Sequence, residues 1–169
     1  MGIGRLLLRF VIGGIFLGHG LQKLTGAFGG PGLAGTEKMM ASTRMYPTER
    51  NALAAALTET VGGAAIVVGA GMPVATAAVT SAMATAYTKV HRKNGFWNSK
   101  GGYEFNLALV AAATALTIDG PGPLSVDAVV GKHRWGVFWG LLGLGAGIVA
   151  SSFAIELGED AAPNESKAS

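Results

Sequence analysis

The sequence predicts an all-α membrane protein: a transmembrane four-helix bundle followed by one additional C-terminal membrane helix. Three observations carry this. Charged residues are 14% of the 169-residue chain and hydrophobic residues 50%, whereas a soluble domain carries about 25% charge. Too few charges remain to coat a water-exposed surface. The apolar residues run in long stretches separated by polar connectors, the pattern of helices crossing about 30 Å of hydrocarbon. Many of the 27 glycines lie inside those stretches, where small residues let helices approach closely in lipid. The same composition excludes intrinsic disorder for most of the chain. The absence of cysteine excludes disulfides, thiolate nucleophiles and cysteine-held metals. The net charge is +3, 13 minus 10, with no concentrated basic face of the kind nucleic acid requires.

Leu6 to Leu24 is the first span. Arg9 lies near its start, where its stem can snorkel to the interface. No small-x-small cleavage site follows, so the stretch is read as a retained helix rather than a signal peptide. Gly14 and Gly18 form a small-xxx-small step for helix contact. Residues 25–51 form a polar connector broken at Gly29-Gly30-Pro31-Gly32, with a short interfacial helix capped by Thr36 and carrying Met39, Met40 and Met45. Ala52–Gly71 and Val74–Val90 are the second and third spans, joined through Gly71-Met72-Pro73 into an antiparallel hairpin. The polar, basic segment 91–102 holds an aromatic pair, Phe96 and Trp97, suited to the membrane interface. Tyr103–Ile118 is the fourth span. The segment from Asp119 through Gly120-Pro121-Gly122-Pro123 to Asp127 breaks the helix, and Lys132-His133-Arg134-Trp135 forms a basic, aromatic border. The fifth apolar stretch is Val137–Ile155. The domain reading is therefore residues 1–130 as a four-helix membrane domain, 131–155 as a fifth membrane helix, and 156–169 as a polar acidic tail without order. Lys23, Lys38, Arg44, Arg50, Lys89, Arg92, Lys93 and Lys100, with Lys167 of the tail, fall on the side opposite to Arg5, Arg9, Lys132 and Arg134. The positive-inside rule then places the N-terminus outside and the tail inside.

An ionisable group within a span is a functional candidate because its burial is costly unless it is paired. Five stand out: His19, Lys23, Glu59, His91 and Glu104. His19 and Lys23 are four apart and share a helix face. Glu59 lies deep in the second span, with Lys23 or His19 as its natural partner, and Gly62-Gly63 beside it admits another backbone. His91 and Glu104 bracket the basic segment and fall at the same membrane depth. All five converge on one end of the bundle in this reading. With no His-x-x-x-His or Glu-x-x-His pattern, the cluster suits a small ligand or a quinone head group better than a metal, and no metal site is expected. Val68-Gly69-Ala70-Gly71 lacks the third glycine and the strand–helix context of a dinucleotide site.

These residues, taken in order, resemble a known family. Arg9, Gly13-Gly14 and His19-Gly20-Leu21-Gln22-Lys23 in the first span are followed by Glu59 with Gly62-Gly63. His91 with Gly95-Phe96 comes next, then Gly102-Tyr103-Glu104, then Gly120-Pro121-Gly122 with Ser125 and Asp127. The order is similar to the DoxX family of small membrane proteins over about residues 4–130. The resemblance implies a multi-pass protein of the bacterial cytoplasmic (inner) membrane. It implies a link to quinone-coupled sulfur oxidation, as in thiosulfate:quinone oxidoreductase subunits, or to oxidative stress, as partners of superoxide dismutase and a sulfurtransferase. The fifth stretch is an addition to that pattern.

Without cysteine or a haem or flavin motif, the chain would not carry out electron chemistry alone. The expected function is a membrane subunit of an oxidoreductase or redox-homeostasis system that binds a quinone. In it, Glu59 and Glu104 move protons, His19, Lys23 and His91 bind the ligand, and Gly62, Gly63, Ser125 and Asp127 have structural or capping roles. The expected partners are membrane lipid, soluble redox proteins and further copies of the chain. The alternatives are a scaffold that recruits soluble antioxidant enzymes through the 91–100 segment or the tail, and a small transporter.

Overall fold

The computed structural model describes residues 2–163. Among them there are seven helices and no strand: α1 (Ile3–Thr25), α2 (Gly32–Ser42), α3 (Thr48–Val68), α4 (Met72–Ala86), α5 (Glu104–Asp119), α6 (Val126–Val129) and α7 (Val137–Asp160). Helices α1, α3 and α7 are long and apolar enough to cross a membrane. The third and fourth expected spans are shorter, with α4 at 15 residues and α5 at 16. A single π-helical turn, Tyr87–His91, prolongs α4. At 1.5 Å per residue the combined rod is about 30 Å long and α5 about 24 Å.

The helices run up and down. α1 packs along α3, α3 against α4, and α4 against both α5 and α7, while α2 lies across α1 and α3 at one end. The fifth long helix is therefore a wall of the bundle and not an appendage: α7 packs on α4 over much of its length and also on α5. The core is built from Ile12, Phe16, Ile66, Met72, Val79, Leu109 and Leu116. Leu7, Val61, Val74, Phe138 and Val149 point outward and are more than half exposed, which in this chain is the surface that meets lipid. This is a multi-pass membrane protein whose outer belt is in contact with acyl chains.

Close packing comes from glycine, one register away from the expected one. Gly14 and Gly18 meet nothing on their outer side. Gly13 and Gly63 are the contact: a Cβ on Gly63 would lie 2.7 Å from the Gly13 carbonyl oxygen, and one on Gly13 equally close to the Gly63 carbonyl oxygen. Gly62 turns the other way, onto Ala78 and Val79 of α4. The Gly62-Gly63 pair thus serves two interfaces of α3 at once.

Three local expectations are corrected. Thr36 does not cap α2. The helix begins directly after Pro31, and Thr36 lies one turn inside it, where its hydroxyl donates to the Gly32 carbonyl at 2.8 Å. The breaker residues set that start, since Pro31 is compatible with the first turn of a helix. Met45 lies beyond α2, packed with Met40 and Ala52. Residues 156–160 are the last turn and a half of α7 rather than tail; the remainder of the expected disordered tail, 164–169, lies outside the described residues.

Candidate functional site

The two ends of the bundle carry different polar groups. At the end where α1 begins, Arg9 is 2% exposed and does not snorkel. Its guanidinium donates to the carbonyls of Ile66 and Val67 at the C-terminus of α3, and to those of Pro121 (2.7 Å) and Leu124 (2.8 Å) in the segment after α5. The planar fork of arginine suits this, because one group reaches carbonyls of two separate segments at once. Asp127 completes the clasp. Its carboxylate accepts the backbone N–H groups of Gly71 (2.7 Å) and Met72 (3.1 Å) at the start of α4, and the indole N–H of Trp135 (2.7 Å). A carboxylate at a helix N-terminus is favoured by the unpaired N–H groups and the macrodipole. Ser125 caps α6, accepting from Ala128 N at 3.2 Å and donating to the Gly122 carbonyl at 2.6 Å. Sequence reasoning takes Arg9 for an interfacial residue because its position near a span end looks the same whether the side chain goes outward or inward.

At the opposite end a cavity of about 430 Å³ opens between the C-terminal part of α1, the N-terminal half of α3, the end of α4 and the start of α5. That size lies within the usual range for small-molecule sites. Its walls are mostly apolar, with Phe16, Met39, Met40, Met45, Met83, Phe105 and several alanines. Its ionisable groups are His19, Lys23, Glu59, Lys89 and His91. Lys23 and Glu59 form an ion pair at 2.5 Å with side chains 18% and 8% exposed. The α1–α3 contact explains the pairing: with Gly13 against Gly63 and Gly20 against Thr60, antiparallel helices bring residue 23 beside residue 59. A mostly buried pair of this kind is costly to desolvate and is held by its own geometry.

The other candidates have different surroundings. The His19 side chain lines the same cavity, and the residue remains exposed. His91 reaches the cavity as well, carried there by the π-helical turn, and its Nδ1–H donates to the Gly101 carbonyl at 2.7 Å. Glu104 does not line the cavity; its carboxylate accepts Asn98 N–H at 2.8 Å and ties the 92–103 segment to the start of α5. Four of the five ionisable candidates therefore share one cavity and the fifth braces its rim. Sequence reasoning missed Asn51, Asn98 and Asn106, which also line it. Asn106 is 7% exposed within an apolar helix and donates to the Met83 carbonyl at 3.4 Å. A search restricted to ionisable groups passes over this amide, and its lone polarity in an apolar run was the available signal.

The family model DoxX matches residues 4–92. The chain belongs to the DoxX family. The match covers α1 to α4 with the following π-helical turn, and so includes His19, Lys23, Glu59, Gly62, Gly63 and His91; it stops short of residue 130, leaving Glu104, Ser125 and Asp127 outside. The DoxX match and the cavity therefore coincide over most of the polar wall. No curated protein and no solved structure matches the chain. DoxX proteins are membrane proteins often linked to redox functions.

Proposed function

We propose that this DoxX protein is a bacterial inner-membrane subunit of an oxidoreductase or redox-homeostasis system, and that its cavity binds a quinone head group. The observation that carries the reading is the Lys23–Glu59 pair on the wall of a mostly apolar cavity of about 430 Å³. A quinone needs hydrogen-bond donors for its carbonyl oxygens and an apolar surface for its ring and tail, and both are present. When bound, a quinone carries electrons and protons between membrane and partner. The chain's own residues would then bind and move protons. Lys23 Nζ and the His19 ring donate to the ligand oxygens. Glu59, held beside Lys23, takes up or releases the proton. His91 lies on the same wall with its Nε2 free of the Gly101 contact. The methionines and alanines exclude water, which strengthens each polar contact. A soluble partner would supply the redox centre, because the chain has neither cysteine nor a haem or flavin motif to hold one.

The test is gentle purification followed by lipid extraction and quinone quantification. The wild-type protein is expected to retain close to one quinone per chain, and Lys23→Ala and Glu59→Gln to lose most of it while still eluting as folded protein. Absence of quinone from the wild type, or equal retention in both variants, would reject the reading.

A further inference from the structure

The segment between α4 and α5 is a built surface rather than a slack loop. Its backbone is knitted by Tyr103 N–H to the Gly95 carbonyl (3.2 Å), Gly102 N–H to the Trp97 carbonyl (3.0 Å) and Glu104 N–H to the Phe96 carbonyl (2.9 Å). The side chains of His91 and Asn94 both donate to the Gly101 carbonyl. Four rings form an edge-to-face series, Tyr87 to Tyr103 at 5.0 Å, Tyr103 to Phe96 at 5.6 Å and Phe96 to Trp97 at 5.0 Å. What this scaffold presents outward is two rings and three cations. Phe96 and Trp97 are 45% and 60% exposed. Arg92, Lys93 and Lys100 are exposed and make no ion pair among the described residues.

We propose that this segment is a docking platform for anionic phospholipid headgroups of the leaflet it faces. The chemistry is complementary. Phosphate takes charge-assisted hydrogen bonds from Arg and Lys, and each basic residue near the surface of an anionic leaflet adds attraction. An exposed Trp is at home at headgroup depth, and a Phe beside it dips toward the acyl boundary. The platform lies where α4 ends and α5 begins, the level at which a bundle helix leaves hydrocarbon. An acidic protein segment would meet the same cations but would leave two exposed rings in water, so lipid is the better occupant. The opposite end exposes two cations, Lys132 and Arg134, rather than a knitted set of three. There Arg5 is bound to the Asp119 carbonyl at 2.9 Å and Lys132 lies over the Trp135 ring at 5.6 Å. The proposal is independent of quinone binding, since none of its cations touches the Lys23–Glu59 pair.

The experiment uses the full chain in zwitterionic micelles, titrated with phosphatidylglycerol or phosphatidylcholine bearing the same brominated acyl chains. The readout is the part of the tryptophan fluorescence that Trp97→Phe removes. Phosphatidylglycerol is expected to quench it at a concentration lower by about tenfold or more, each cation contributing several-fold, and high salt is expected to abolish the preference. The triple variant Arg92→Gln, Lys93→Gln, Lys100→Gln should bind both lipids alike while keeping the wild-type melting temperature in zwitterionic micelles. Equal quenching of the wild type by the two lipids overturns the proposal, as does a triple variant that retains the preference. Displacement of phosphatidylglycerol by a soluble polyglutamate peptide at lower concentration overturns it in favour of an acidic protein partner. Loss of bound quinone with the lipid preference intact touches only the cavity.

Discussion

Thr80 and Thr114 are 1% and 8% exposed, and neither hydroxyl oxygen has a hydrogen-bond partner. Their neighbours do: Thr76 and Thr117 share a bond of 2.6 Å, and both reach the Ala113 carbonyl. A buried hydroxyl without a partner costs about 1–3 kcal/mol. Thr80→Val, which keeps the shape and removes the unpaired group, is expected to raise the melting temperature, whereas Thr76→Val, which breaks a satisfied pair, should lower it. A Thr80→Val protein that melts at or below the wild type would mean that the hydroxyl is bridged by a buried water. The Lys23–Glu59 pair obeys the same logic, with a full charge in place of a hydroxyl dipole. Glu59→Leu alone leaves a mostly buried cation and should cost about 3 kcal/mol or more. Lys23→Met combined with Glu59→Leu should recover most of that loss, as read by thermal unfolding in detergent. A double variant no more stable than the single one would show that the pair does not act as a unit. Lys23, Glu59 and His19 were legible because a charge inside an apolar run has few explanations. Arg9 was legible as unusual but not in its role, since its partners are carbonyls, which every sequence contains.

At the scale of the helices, the contacts between α4 and α7 rest on backbone approach. A Cβ on Gly147 would lie 2.5 Å from the Ala77 carbonyl oxygen and 2.6 Å from Thr80 Cβ; one on Gly143 would lie 2.7 Å from the Pro73 carbonyl oxygen. Gly145, on the outer face, meets nothing within 4 Å. Two alanine substitutions two residues apart should therefore have opposite signs. Gly147→Ala is expected to separate α7 from α4 and lower the melting temperature by several degrees. Gly145→Ala should be neutral or stabilising by up to about 1 kcal/mol, because alanine is the better helix former. If both destabilise alike, the two helices pack through a different face. This pair also marks how far the sequence could be read. A glycine-rich span announces close packing, but a helix of apolar residues on all sides carries no amphipathic signal to say which glycines face inward. The same ambiguity puts the α1 contact at Gly14 and Gly18 instead of Gly13 and Gly20. The four long helices α3, α4, α5 and α7 are legible to within about five residues because their ends carry Gly, Pro or charge. The start of α2 is not, because Thr36 looks like a cap when Pro31 has already set the first turn.

For the molecule as a whole, the two ends differ in how their charges are engaged. The end holding Arg9 and Asp127 uses those two groups internally, as a clasp that joins α1, α3, α4 and the segment after α5, and exposes Lys132 and Arg134. The other end holds the cavity and, beside it, Lys38, Arg50, Arg92, Lys93 and Lys100, all exposed. The C-terminus of α7 reaches that same end, where Lys89 pairs with Glu159 at 2.7 Å and Tyr46 N–H donates to the Gly158 carbonyl at 3.1 Å. The N-terminus, by contrast, starts at the clasp end, with Arg5 on the Asp119 carbonyl. By the positive-inside rule the larger number of exposed cations is expected on the cytoplasmic face, so the prediction is cavity end inward and clasp end outward. The chain contains no cysteine, so single cysteines can report on this without background. Ser99→Cys, in the segment between α4 and α5, should be labelled by a membrane-impermeant maleimide only after cells are opened. His133→Cys, in the exposed border before α7, should be labelled in intact cells. The reverse pattern would invert the orientation, and labelling of both from one side would mean that the bundle does not cross the membrane an odd number of times between Ser99 and His133. Because α5 is the only long helix between those positions, that outcome would also remove α5, at about 24 Å the shortest rod of the bundle, from the set of membrane spans.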